Sequence, residues 1–159
     1  MSESLPRVTI IVPAFNEAAR IGACVASLRA QDYPAEKLEV ILVDNGSTDG
    51  TFDVLSSTPG IRALRETRPG SYAARNLALE HATGDVICFT DADCTADPAW
   101  VRNAVASLVP GVGIVAGHVQ LDFRADMRLS ASELFERCFS FRQADNARSG
   151  VCVTANWTS

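Results

Sequence analysis

The stretch Val8-Thr9-Ile10-Ile11-Val12-Pro13-Ala14-Phe15-Asn16-Glu17 decides the fold class. Its first five residues are apolar or β-branched without a break, which predicts a short strand buried on both faces and ended by Pro13. Asn16 offers an N-cap and Glu17 an acidic first turn, and Ile21, Cys24, Val25 and Leu28 follow at helical spacing. The same unit then returns. Val40-Ile41-Leu42-Val43 predicts a second buried strand, followed by the turn-rich Asp44-Asn45-Gly46-Ser47-Thr48-Asp49-Gly50. A short helix is expected over 52–56 and a brief third strand over 61–65. Ser71 can cap a helix through 81, with Gly84 near its end. Val86-Ile87-Cys88-Phe89-Thr90 predicts another buried strand, and Asp97-Pro98 starts a helix to about residue 108. Beyond it, a strand over 114–123, a helix over 130–141 and a last strand over 151–155 are expected.

Continuous apolar strands alternating with helices make βαβ units, hence an α/β fold with a mostly parallel sheet and helices on both faces. No repeat or linker divides the chain, so residues 1–159 are expected to form one domain. Composition agrees: 47% of the 159 residues are hydrophobic and 21% charged, which excludes a disordered chain. No apolar run reaches the roughly 18 residues of a membrane span. The start, Met1-Ser2-Glu3-Ser4-Leu5-Pro6-Arg7, lacks the pattern of a signal peptide. The formal net charge is −5, and neither half of the chain is basic, which argues against nucleic acid as a partner. Five cysteines without a C-x-x-C pair predict reduced thiols in a cytoplasmic protein.

Ligands in open α/β sheets sit beyond the carboxyl ends of the strands. Three such ends carry acidic residues: Glu17 after the first strand, Asp44 after the second, and Asp91 and Asp93 after the strand over 86–90. The topology gathers them along one edge although they are far apart in sequence. Crowded carboxylates repel unless a cation is present, and one or two carboxylates plus substrate phosphates are how Mg2+ or Mn2+ is usually held. Asp91 and Asp93 flank one small residue, and the expected division is one direct metal bond and one water- or sugar-mediated contact. Arg62, Arg65, Arg68 and Arg75 fall within fourteen residues. Arg75 is expected in the first turn of its helix, where a bound anion would offset the unfavourable placement of a cation.

Competing motifs fail. Gly111-Val112-Gly113-Ile114-Val115-Ala116-Gly117 misses the dinucleotide spacing by one residue and leads into a strand. There is no P-loop, no EF-hand loop and no G-x-S-x-G, and neither His81 nor His118 has metal-ligand spacing.

Ile11-Val12-Pro13-Ala14-Phe15-Asn16-Glu17 and Val43-Asp44-Asn45-Gly46-Ser47-Thr48-Asp49-Gly50-Thr51 resemble the start of the family 2 glycosyltransferases of the Rossmann-like GT-A fold. Gly70-Ser71-Tyr72-Ala73-Ala74-Arg75-Asn76, Thr83-Gly84-Asp85 and Thr90-Asp91-Ala92-Asp93 continue the resemblance in order. It implies a nucleoside-diphosphate sugar donor, with UDP or GDP as the nucleotide. Pro13, Ala14, Phe15 and Glu17 would line the base and ribose, and Asp44 would bond the base or ribose. Asp91-Ala92-Asp93 would be the DxD motif, with Asp93 the direct ligand of Mg2+ or Mn2+ and Asp91 nearer the ribose or sugar. Many relatives carry a second acidic residue where Asn45 stands, which implies a difference in base recognition.

The resemblance further implies transfer with inversion, assisted by a metal and by a general base. In relatives that base follows a Gly-Phe-Asp segment, which residues 1–159 do not contain, and Asp122, Asp126 and Asp145 have no support as substitutes. The expectation is therefore the N-terminal, donor-binding part of an inverting enzyme, truncated at the C-terminus, its last strand an exposed edge. The acceptor, whether glycan, lipid or protein, is undetermined, and peripheral membrane association is left open. The alternative is a non-catalytic nucleotide-sugar-binding module; a nucleotidyltransferase is weaker, because the first loop lacks a Gly-rich, basic triphosphate cradle.

Overall fold

The computed structural model describes residues 5–119 and the backbone of 156–158. The elements, in chain order, are β1 (Val8–Ala14), α1 (Ile21–Arg29), a 3-10 turn (Ala35–Lys37), β2 (Leu38–Asp44), α2 (Thr51–Ser56), β3 (Arg62–Arg65), α3 (Ser71–His81), β4 (Val86–Thr90), α4 (Trp100–Ser107), β5 (Val115–Ala116) and β6 (Asn156–Thr158). They build one sheet in the order β3-β2-β1-β4-β6-β5. The first four strands of that order are mutually parallel, and β6 runs antiparallel to both of its neighbours.

The apolar run of β1 is buried throughout because its alternate side chains enter two different cores. Val8, Ile10, Val12 and Ala14 join Ile21, Cys24 and Leu28 of α1, Leu55 of α2 and Val101 of α4. Ile11 instead joins Ile41, Val43 and Phe89 over Ala74 and Ala78 of α3. Helices thus cover both faces, as the unbroken hydrophobic strands require.

Four local expectations change. β1 does not stop at Pro13 but continues to Ala14, with Pro13 opposite Val43. The proline is tolerated because β1 and β4 pair only as far as Ile11 and Phe89, so beyond Ile11 β1 has no ladder with β4 to disrupt. Asn16 is not an N-cap: α1 starts five residues later, at Ile21. Asn16 sits at φ 55° and clasps the next strand's loop instead, its Oδ1 accepting from Thr48 N at 3.0 Å and its own N donating to Ser47 Oγ at 2.9 Å. Ser71 is the first residue of α3 rather than its cap, which is Gly70. Asp97 closes a turn just ahead of α4, accepting from Ala99 N at 2.8 Å, and the helix itself begins at Trp100.

The helix expected over 130–141 and the strand over 151–155 lie outside the described residues, as does the end of the strand expected over 114–123. The described C-terminal strand, β6, sits between β4 and β5 and is not an edge.

Candidate functional site

The early end of the β1–β4 ladder opens a crevice. β1 continues with β2 while β4 ends at Thr90, so the chain segments after the two strands separate. This is the point where strand order reverses in the sheet, the usual ligand position of such folds. A cleft of about 270 Å³ occupies it. Pro13, Ala14, Phe15 and Glu17 form one wall, Asp91, Ala92 and Asp93 another, and Asn45 and Ser71 complete it. Phe15 is 60% exposed, an aromatic face turned to solvent beside the cleft.

Three carboxylates meet this cleft, and two are already paired. Arg20 grips Glu17 through Nε at 2.7 Å and Nη2 at 2.8 Å. Arg75, in the second turn of α3 and buried, bonds Asp91 Oδ1 through Nη2 at 2.7 Å. Burial pushes the Asp91 carboxyl above its ordinary range and Asp93 adds to that push, while the Arg75 guanidinium opposes it. Asp93 is exposed, and among the described residues it has no ion pair; the Cys94 thiol donates to its Oδ1 at 3.8 Å. Burial raises the Cys94 thiol and pushes Cys24 up to about 12, so both stay protonated at neutral pH.

Asp44 is elsewhere. It ends β2 fully buried, its Oδ2 accepting from Arg65 Nε at 3.3 Å and its Oδ1 from Ser47 N at 3.4 Å, and it is not on the cleft wall. Asp44 thus lies behind the wall, directly next to Asn45, which is on it. The next residue, Asn45, reaches the wall, but its amide is committed to the β3–α3 loop. Nδ2 donates to Arg68 O at 2.7 Å and to Glu66 O at 3.3 Å, and Oδ1 accepts from Gly70 N at 2.7 Å. Asn45→Asp keeps the acceptor but sets a carboxylate against two carbonyls. It is expected to cost about 1–3 kcal/mol, read as a lower urea midpoint; an unchanged midpoint would show that the latch carries no weight.

Of the arginine cluster, Arg65 is thus held by Asp44. Arg62 donates to the His81 carbonyl, and Arg68 binds Glu66 at 2.8 Å, which holds the Glu66 carboxyl down to about 2. Among the described residues, Arg75 is the one of the four whose guanidinium bonds a cleft residue.

Asp91 and Asp93 on one wall supply hard carboxylate oxygens, the donor type that suits Mg2+ or Mn2+. Among the described residues no third His, Cys, Asp or Glu joins them as a closed cage. The set therefore fits a cation whose remaining positions are filled by water and ligand phosphates.

The family model described as Glycosyl transferase family 2 matches residues 9–156, nearly the whole chain. The chain belongs to this family. Glycosyltransferase AglE of Haloferax volcanii is 36% identical over 129 residues, covering 77% of this chain and 42% of AglE. An N-acetylglucosaminyltransferase of Sinorhizobium fredii is 33% identical over 159 residues, covering 93% of this chain and 38% of the relative. Among solved structures, the mannosyltransferase PcManGT of Pyrobaculum calidifontis, in complex with GDP-Man and Mn2+, superposes with a TM-score of 0.68 at 39% identity. That match covers 74% of this chain and 37% of PcManGT. TarS of S. aureus in complex with UDP-GlcNAc superposes at 0.56 with 29% identity, covering 63% of this chain and 30% of that one. The chain spans about two-fifths of the length of these first relatives. Family membership agrees with the observed α/β, mostly parallel, GT-A type architecture.

Within this family 2 chain the sequence reading missed Ser71 as a cleft residue. The available signal was its place at the start of the helix that follows β3, on the same sheet edge as the carboxylates. The Asp44–Thr51 motif proves to be largely a clasp between loops. Glu17 N donates to Thr51 Oγ1 and Ala18 N to Asp49 Oδ2, at 2.9 and 3.0 Å. Among the described residues no helix is long and apolar enough to cross a membrane.

Proposed function

We propose that this chain is the nucleotide-sugar-binding domain of an inverting glycosyltransferase that takes its sugar from a UDP- or GDP-sugar with the help of Mg2+ or Mn2+. One observation carries the reading: the Pro13–Glu17 loop and the Asp91–Asp93 turn face each other across one cleft at the sheet's reversal point. Phe15, exposed at the rim, offers a stacking face for the base, and Pro13 and Ala14 an apolar floor beside it. Ser71 brings the start of α3 to the cleft, where backbone N–H groups favour diphosphate oxygens. Asp93 takes the direct metal bond, and Asp91, nearer the sugar, joins the metal site once the diphosphate is bound. A divalent cation held there supplies Lewis-acid stabilisation of the charge that builds on the departing diphosphate. Asp44 and Arg75 support the site from behind, Asp44 through Arg65 and the Ser47 backbone, and Arg75 through Asp91. The nucleotide sugars named in the PcManGT and TarS complexes support the donor class. The acceptor and the base that deprotonates it are left unassigned.

Calorimetry of the full-length protein with UDP and with GDP, with and without Mn2+, tests this. One of the two nucleotides is expected to bind at least about 10-fold more tightly with Mn2+, a gain of about 1.4 kcal/mol. Folded protein that binds neither nucleotide overturns the reading.

A further inference from the structure

The three cleft carboxylates carry a formal charge of −3, but two arginines already answer them. Arg20 holds Glu17 and Arg75 holds Asp91, which leaves Asp93 as the cleft carboxylate without an ion pair among the described residues. The two pairs differ in kind. Arg20 is largely exposed, so water solvates its charge with or without Glu17. Arg75 is 8% exposed and rises from the buried face of α3, so its charge needs a partner in place. Its Nε is buried with no hydrogen-bond partner among the described residues. The 2.7 Å bond to Oδ1 is therefore the charge-assisted contact that compensates it.

A divalent cation arriving alone meets a carboxylate whose charge is neutralised and a fixed positive group directly behind it. A nucleoside diphosphate changes that balance, because its oxygens bring negative charge to the cleft beside Asp91. We propose that Arg75 is a built-in counter-ion that withholds Asp91 from the metal until the diphosphate is present, so that metal and nucleotide bind as a pair rather than metal first. This rests on the donor-site reading above and adds the order of assembly. Arg75 acts through Asp91 and is a positioning residue.

The test counts free Mn2+ by electron paramagnetic resonance in the full-length protein, without nucleotide and then with UDP or GDP. Wild type is expected to bind Mn2+ weakly alone and much more tightly with the nucleotide. Arg75→Met removes one positive charge beside the site and is expected to tighten binding of Mn2+ alone by about 10-fold or more. Its gain on adding nucleotide shrinks correspondingly. Arg75→Lys keeps the charge and stays near wild type. A merely structural arginine gives the opposite sign, since loosening the site weakens the metal. The double variant Arg75→Met with Asp91→Asn removes a neutral pair without stranding a buried charge, and guards against misfolding of the single variant. Its affinity for Mn2+ alone is expected within about twofold of wild type, because the pair carries no net charge. Folded Arg75→Met with unchanged or weaker Mn2+ binding overturns the proposal, as does a double variant that loses about tenfold or more. So does a wild type that binds Mn2+ equally well with and without nucleotide. The measurement without nucleotide stands apart from the calorimetry, so failure of the donor reading is seen separately.

Discussion

Replacing Asp93 by alanine is expected to lower the Mn2+-dependent affinity for the nucleoside diphosphate by at least about 100-fold, the upper end of what a supporting group at a metal site contributes. Asp93 is the cleft carboxylate without an ion pair among the described residues, and it is exposed on the turn after β4. Among the described residues its side chain accepts a weak thiol bond from Cys94, so truncation strands no strong donor. The fold should survive, and the loss should fall on the metal-dependent part of binding alone. Asp91→Ala is a poorer probe of the same site, because it leaves the buried Arg75 unpaired at a cost of about 3–5 kcal/mol. Calorimetry of Asp93→Ala with and without Mn2+ decides the matter: affinity that still responds to Mn2+ as in wild type removes Asp93 from the metal site.

Gly84→Ala is expected to destabilise the protein by about 3 kcal/mol, the high end for overpacking a tight contact. A methyl group at Gly84 would lie 2.5 Å from Thr9 N and 2.9 Å from Val8 C, both backbone atoms of the central strand β1. Neither can yield without displacing the ladder with β2 and β4. The approach is locked by a small polar network. Gly84 N donates to the buried Thr9 hydroxyl at 2.9 Å, which donates to Glu39 Oε2 at 2.6 Å, and Thr83 N donates to the same oxygen at 2.9 Å. Burial alone would raise the Glu39 carboxyl, yet the Thr9 and Thr83 hydrogen bonds hold it below its ordinary range. Thr83-Gly84-Asp85, part of the family resemblance, is thus a structural latch at the opposite end of β1 from the cleft. Asp85 completes it by accepting from Arg7 N at 3.0 Å. Urea unfolding measures the effect, and an unchanged midpoint would show that β1 shifts freely.

The two expectations differ in what they test. Asp93 concerns a group whose value lies in being unengaged, whereas Gly84 concerns an absent side chain that lets two backbone segments touch. Both motifs were visible in the sequence, but only the contacts separate chemistry from architecture. The Asp44–Thr51 segment makes the same point. Ser47, Asp49 and Thr51 all serve as partners for backbone N–H groups of the β1–α1 loop, and so hold Phe15 and Glu17 at the cleft without facing it.

By itself the sequence determined the layering. Val8–Val12, Val40–Val43 and Val86–Thr90 are apolar on every residue or nearly so, and only a strand between two helical layers can bury both sets of side chains. Parallel βαβ connection then sends the carboxyl ends of those strands to one edge, which is why Glu17, Asp91 and Asp93 could be grouped before any contact was known. The tertiary structure decided which acidic groups face the cleft and which are already spoken for. Asp44 and Asn45 are adjacent, yet one is buried against Arg65 and the other stands at the wall, because side chains at a strand's end turn to opposite sides. The partnership of Arg75 with Asp91 joins a helix to the turn after the next strand. Hydrophobic periodicity carries no information about such a pair, which exists only because α3 packs its buried face on β1 and β2 beside the end of β4.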